Sequence, residues 1–286
     1  MTIKQYLQQI NDLSGKEVLI TGGTSGIGLS IVKHLLYKHA DVVVLARNMN
    51  KAKEVKNNLE NIYPNSHISF IQFDQSNDAS VMKAAQTIIK EHPHFYGLIL
   101  NAGLIETKKT MTYTDGIATT IKTNYVGTAL LVEQLLPYLK EGQRLIFQGS
   151  LCARLKIKKI NTLKDTTLSM WQQYFISKAG VEALFYHYSL MDTLPSFYLV
   201  EPGVTSTAII RDFPAIIRHL GKVFLKITSH SNEKAALTAM LALNESTPKN
   251  SFIVPRALLA VRGFPKIKKF PLKRNREYLV DLLKAK

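Results

Sequence analysis

Short aliphatic, β-branched runs alternate with longer stretches of helical period along most of the chain. Glu17–Thr21 (EVLIT) is such a run; it meets a glycine-rich turn, and a helix is predicted from there to about His39. Asp41–Ala46 (DVVVLA) repeats the pattern before a helix over Lys51–Ile62. Ile68–Asp74, Leu98–Asn101 and Arg144–Ser150 predict further strands, with helices over Ala79–Glu91 and Asp115–Lys140. The rhythm resumes with a helix near Trp171–Met191, a strand Ser196–Glu201 and a helix near Glu233–Leu243. Strands apolar on both faces and separated by helices predict a parallel sheet covered on both sides. No linker rich in Pro, Gly or Ser interrupts the run, so residues 1–286 read as a single doubly wound α/β domain.

Three stretches leave this rhythm. Ile3, Tyr6, Leu7, Ile10 and Leu13 fall at helical spacing and predict a short amphipathic helix docked on the body. Ala153–Ser169 is polar, basic and weakly periodic, which predicts an inserted loop. Ala208–Ile227 is apolar but broken by Pro214 and Gly221. It reads as a cover of short helices over a site, or as a surface-packed or dimer-forming element through Ile216, Ile217, Phe224 and Leu225.

Composition narrows the class. With 46% hydrophobic residues the chain can bury a large core, and 15 Gly and 10 Pro without a period exclude a collagen-like or low-complexity chain. Cys152 is the sole cysteine, so an intramolecular disulfide framework is excluded. No apolar run approaches the roughly 20 residues that span a bilayer. The first residues, MTIKQYLQQINDL, lack a signal-peptide core, so a reducing cytoplasm is the expected location. The net charge of +16 is concentrated at the end. Residues 256–286 form a basic extension with ten Lys and Arg against Glu277 and Asp281. Such an excess suits a solvated or cofactor-attracting surface; peripheral contact with an anionic membrane is the second reading. No zinc finger, basic zipper or RNA-recognition motif is present, so nucleic acid is not an expected partner.

The sharpest local pattern is Thr21-Gly22-Gly23-Thr24-Ser25-Gly26-Ile27-Gly28, between the first strand and the first helix. Glycines there permit a tight turn, close approach of the backbone to a pyrophosphate and tight helix–sheet packing. The helix N-terminus then favours the anion. Tyr174 and Lys178 are four apart and share a helix face. A phenol normally titrates near 10, and a neighbouring ammonium lowers that value towards a useful acid–base range. Ser150, at the carboxyl end of a strand, can donate a hydrogen bond to a substrate oxygen.

In order along the chain, the TGxxxGIG turn, Asn101-Ala102-Gly103, Asn124 within TNYVG, Ser150, Tyr174 with Lys178, and Pro202-Gly203 resemble the short-chain dehydrogenase/reductase family. The resemblance covers roughly residues 15–245 and implies a Rossmann-type fold and an oxidoreductase. It implies Tyr174 as general acid/base, Ser150 orienting the carbonyl or alcohol, and Lys178 holding the nicotinamide ribose. Asn124 would support a proton-relay water. It places Gly22, Thr24, Ser25, Gly26, Ile27 and Gly28 at the pyrophosphate, and Asn101, Ala102 and Gly103 beside the dinucleotide. Pro202, Gly203, Thr205 and Thr207 would lie beside the nicotinamide. Asp74 would lie near the adenine, with a turn or helix-capping aspartate as the equal alternative. The long Ser150–Tyr174 interval and Leu45-Ala46-Arg47-Asn48 resemble the retinol dehydrogenase-like branch, which includes reductases of apolar aldehydes and ketones and relatives of unassigned substrate. Leu100 departs from the usual first Asn before Asn101, and Gln148-Gly149 precedes Ser150.

An NAD site usually offers an acid at the end of the second strand, whereas Arg47 and Asn48 stand there. Arg47 can pair with a 2′-phosphate through its planar fork, which favours NADP(H) over NAD(H). The expected partner is a small to medium, apolar carbonyl or alcohol, and association of copies is left open. A regulatory protein that binds NADP without turnover is the rival, disfavoured by the four catalytic-type residues together. The histidines show no metal-binding spacing, so no metal is expected. Cys152 reads as a packed side chain rather than a nucleophile.

Overall fold

The structure, a computed structural model, describes residues 1–107, 109–191, 195–205, 230–256, 261–271 and 276–284. A short helix α1 (Ile3–Leu7) opens the chain; Thr2 caps it, and Tyr6, Leu7, Ile10 and Leu13 are buried. The helix stops at Leu7, and the rest of the expected helical stripe continues as turns. Then follow β1 (Glu17–Thr21), α2 (Gly26–Tyr37), β2 (Asp41–Ala46), α3 (Met49–Ile62), β3 (Ile68–Gln72), α4 (Asp78–Glu91) and β4 (Gly97–Leu100). These agree with the sequence pattern to within a few residues, because the strands carry short aliphatic runs and α3 and α4 carry their own start signals. Asn48 caps α3 and Asn77 caps α4 through their side chains.

The helix expected over Asp115–Lys140 is where the pattern misled. Residues 113–118 form a hairpin, β5 (Tyr113–Thr114) and β6 (Ile117–Ala118), with Asp115 and Gly116 both at positive φ (55° and 79°). Asp-Gly turn chemistry overrides the helical period there. Helix α5 (Thr119–Ile121) then passes through a π turn, Lys122–Val126, into α6 (Gly127–Leu135), and a 3₁₀ turn with Pro137 ends it. Strand β7 (Arg144–Gln148) leads to a 3₁₀ turn, Leu151–Arg154, and then to the expected loop. That loop is not wholly surface, since Ile160, Leu163 and Leu168 are buried. Helix α7 (Met170–Ser189), β8 (Ser196–Val200) and α8 (Asn232–Leu243) follow as expected.

Of the basic final segment, the described residues 265–268 and 278–284 form elements of the body. Strand β9 (Phe252–Pro255) and strand β10 (Pro265–Lys268) complete the sheet, and α9 (Tyr278–Lys284) follows. The eight strands run β10-β9-β8-β7-β4-β1-β2-β3; β10 is antiparallel to β9 and the other pairings are parallel. Two buried layers flank the sheet. One joins α4, α6, α7 and α9 to one face, and the other joins α1, α2, α3 and α8 to the opposite face. This is the doubly wound, Rossmann-type architecture, and it brings the carboxyl ends of β1, β4, β7 and β8 to one edge.

Candidate active site

The glycine turn is built by close backbone packing. Gly22 has φ 72°, and a Cβ there would stand 3.0 Å from the Ala102 Cα. At Gly28 a Cβ would meet the Gly22 carbonyl oxygen at 2.2 Å, so only glycine lets α2 start this close to β1. The segment after β4 locks the turn: Asn101 Nδ2 donates to the Thr21 and Gly22 carbonyls at 2.9 and 3.2 Å, and the Ala102 amide donates to Thr21 Oγ1 at 2.9 Å. Asn101 and Ala102 therefore shape the turn directly. Leu100 takes no part in these bonds and is buried.

These residues fit a dinucleotide. Ser25 stands at the N-cap of α2 without a side-chain capping bond, which leaves the first-turn N–H groups for an anion. Gly26, at φ 54°, has no atom within 4 Å of where a Cβ would stand. Thr24 is half-buried and Ile27 half-buried beside them. At the end of β2, Arg47 is exposed, and its carbonyl accepts from Gln72 Nε2 at 2.9 Å. The Asn48 side chain accepts from the Lys51 amide at 3.0 Å, so it serves the start of α3. Asp74 makes a turn, its Oδ1 accepting from the Ser76 amide and hydroxyl at 2.9 and 2.6 Å. Of the two sequence readings of Asp74, its side chain follows the turn.

The π turn carries Asn124 into the same edge. Its Oδ1 accepts from the Leu104 amide at 2.7 Å, and its Nδ2 donates to the Leu104 carbonyl and to Ser177 Oγ at 2.8 and 3.0 Å. Asn124 thus ties the segment after Gly103 to the helix of Tyr174. A Cβ on Gly103 would stand 3.3 Å from Asn124 Oδ1 and 3.5 Å from Lys178 Nζ, so Gly103 gives both groups room.

Ser150 lies two residues beyond β7 and caps the 3₁₀ turn, its Oγ accepting from the Cys152 amide at 3.2 Å. The Ser150 and Tyr174 side chains lie beside each other, the serine favouring the ionised phenol. Lys178, one turn along α7, donates from Nζ to the Gln148 carbonyl at 3.1 Å. Burial pushes the Tyr174 phenol up to about 12, with the neighbouring Ser150 opposing it. Burial also pulls the Lys178 ammonium down to about 8. The lowered phenol expected from the sequence is therefore corrected: both groups are buried, and desolvation dominates at each. Cys152 is half-buried beside Ser150, and burial raises its thiol, as befits a packed side chain rather than a nucleophile.

After β8, Pro202 and Gly203 turn the chain, with Gly203 at φ 79° and its place for a Cβ 2.6 Å from the Val261 carbonyl oxygen. His230 was invisible to the sequence reading, a lone histidine with no motif around it. Its Nε2 donates to the Pro202 carbonyl at 2.6 Å, its backbone bridges Thr205, and burial lowers its pKa. Thr205 therefore lies beside this turn, whereas Thr207 and Ala208–Ile227 lie outside the described residues.

A parallel sheet with a glycine turn, and a Ser–Tyr–Lys cluster at its carboxyl edge, defines an oxidoreductase architecture. The short chain dehydrogenase model matches residues 16–215, and the chain belongs to the short-chain dehydrogenase family. It is similar to an uncharacterised oxidoreductase of Schizosaccharomyces pombe, 34% identical over 139 residues, which are 49% of this chain and 41% of that protein. The match thus spans less than half the length of that relative. Retinol dehydrogenase 11 of Mus musculus is 27% identical over 240 residues, covering 82% of this chain and 75% of that protein. A short chain dehydrogenase from Burkholderia cenocepacia, solved in complex with NADP, shares the fold with a TM-score of 0.66 at 21% identity, covering 85% of this chain and 96% of that one. Among the described residues no helix is long and apolar enough to cross a membrane.

Proposed function

We propose that the protein is an NADP(H)-dependent reductase of small to medium apolar carbonyl compounds, with Tyr174 as its general acid/base. The observation that carries this reading is the placing of the Ser150 and Tyr174 side chains beside each other with Lys178 one turn away, all at the edge where the glycine turn opens. Bound nicotinamide supplies the hydride. Tyr174 gives its hydroxyl proton to the substrate oxygen during reduction and takes it back during oxidation. Ser150 has its oxygen engaged by the Cys152 amide, so its own proton is free to orient that same oxygen. Lys178, titrating near 8, is still mainly protonated at neutral pH. Its charge stabilises the phenolate as the proton leaves, and its donors suit the nicotinamide ribose. Asn124 holds the π turn against Leu104 and Ser177.

The preference for NADP(H) rests on an exposed Arg47 with no acid beside it on β2. The apolar substrate class rests on the composition of residues 208–227. Tyr174→Phe tests the chemistry. It should keep dinucleotide affinity by calorimetry while NADPH-linked carbonyl reduction falls roughly 100- to 10,000-fold. Wild-type turnover in that variant would end the mechanism, and dinucleotide binding without turnover of any carbonyl in a broad screen would leave a regulator.

A further inference from the structure

The turn that presents Ser150 is held by a residue more than a hundred positions away in the chain. Arg276 donates from Nη1 to the Ala153 carbonyl at 2.7 Å and from Nη2 to the Leu155 carbonyl at 3.3 Å. Those carbonyls flank Arg154, whose guanidinium is ion-paired with Glu201, a carboxylate with no exposed surface. Glu201 in turn stands immediately before the Pro202-Gly203 turn, and a Cβ on Gly149 would meet its Cγ at 3.6 Å. The 3₁₀ turn is thus gripped by Arg276 and by Glu201 through Arg154. The same segment also reaches the helix of Tyr174. Tyr125 donates to the Leu279 carbonyl at 2.6 Å, while its ring lies where a Cβ on Gly180 would come within 2.6 Å.

We propose that Arg276 is a positioning residue. It holds the Leu151–Leu155 turn so that the Ser150 hydroxyl stays opposite Tyr174, and the segment 276–284 acts as a strut between the two catalytic elements. The proposal rests on the assignment of Ser150 and Tyr174 to the chemistry. Charge-assisted donors to two carbonyls of one short turn restrain its opening more than a single neutral contact would. A displacement of about 1 Å at a reacting centre can lower turnover about 100-fold, so the restraint has catalytic weight.

Cys152 makes the strut measurable without a substrate. It is the sole cysteine, it lies inside the gripped turn, and its amide donates to Ser150 Oγ. Labelling of the native protein at fixed pH with a chromogenic aromatic disulfide therefore reports only this turn. Hydrogen exchange at the Cys152 amide reports the bond to Ser150 itself. Arg276→Ala should speed labelling roughly tenfold, equivalent to about 1.4 kcal/mol of easier opening, and should speed amide exchange in parallel. Arg276→Lys should restore part of the protection, since it keeps the charge but loses the planar fork. Leu7→Ala, in the opposite core layer, should lower global stability and leave both rates as in the wild type. Unchanged rates in Arg276→Ala would overturn the strut. So would equal acceleration in Leu7→Ala, because labelling would then follow global unfolding. The catalytic reading is tested by turnover of Tyr174→Phe and the strut by labelling and exchange of Arg276→Ala, so a failure of the one and a failure of the other are seen in separate assays.

Discussion

Replacing Lys178 by methionine should make folding stability lose one particular pH dependence. The Lys178 ammonium is almost fully buried and is brought from an ordinary 10.5 down to about 8, chiefly by desolvation. One pKa unit corresponds to about 1.4 kcal/mol, so the shift corresponds to about 3 kcal/mol of folding free energy. Above its unfolded-state pKa the lysine is neutral in both states, and this contribution is fully present. As pH falls towards 8, the unfolded chain binds a proton that the folded chain refuses, and the contribution drains away. Below 8 both states are charged and it is gone. Tyr174, pushed up to about 12, stays neutral in the folded state over this window and is common to both proteins. Urea unfolding of wild type and Lys178→Met, in half-unit steps from about pH 7 to about pH 10, reads the difference directly. Wild type should gain on the variant by about 1.4 kcal/mol per pH unit above 8. A difference that stays flat would show that burial does not depress Lys178, and the argument that it is a tuned ammonium beside the phenol would fall.

Three more outcomes follow from the same geometry. Arg47→Ala should weaken NADP(H) binding by about 1–3 kcal/mol and leave NAD(H) unchanged, measured by calorimetry; equal losses for both would remove the assigned phosphate contact. Gly180→Ala would drive a methyl into the Tyr125 ring, 2.6 Å away, and should cost about 1–3 kcal/mol in urea unfolding; a neutral result would mean that the ring moves freely. Glu201→Gln should destabilise by about 3 kcal/mol, because Arg154 then faces a buried neutral amide; the check is the unfolding midpoint at neutral pH, and an unchanged midpoint would show the pair to be dispensable.

The parallel sheet and the order of its first helices were readable because the strands carry short aliphatic runs, buried throughout in β4 and nearly so in β1 and β2, so periodicity and tertiary role coincide. The glycine turn, Asn124, Ser150, Tyr174 and Lys178 stood out in the sequence because the proposed chemistry would force residue type and spacing together. The structure brings them to one edge. Three things were hidden. Asp115-Gly116 turned a helical stripe into a hairpin, since a local turn preference outweighed the period. β9 is only four residues long, and β10 carries two lysines, so neither announces a strand. The supporting residues His230, Glu201, Arg154 and Arg276 act through contacts between distant positions, which no local pattern encodes. The phenol's direction of shift was missed for a related reason: spacing places a lysine near a tyrosine, but only packing determines how much water both groups lose.

The antiparallel strand β10 also governs how one molecule meets another. Its inner neighbour β9 (Phe252–Pro255) is apolar and buried at every position, the kind of segment that templates sheet-to-sheet aggregation when it lies bare. Among the described residues, β10 stands outside it as the last strand of the sheet, with Lys266 and Lys268 on the strand and Lys269 just beyond. An incoming strand would have to desolvate these ammonium groups and approach them against their mutual repulsion. Part of the chain's excess of positive charge therefore has a colloidal role. Charged lysines on an edge strand oppose edge-to-edge joining of folded sheets.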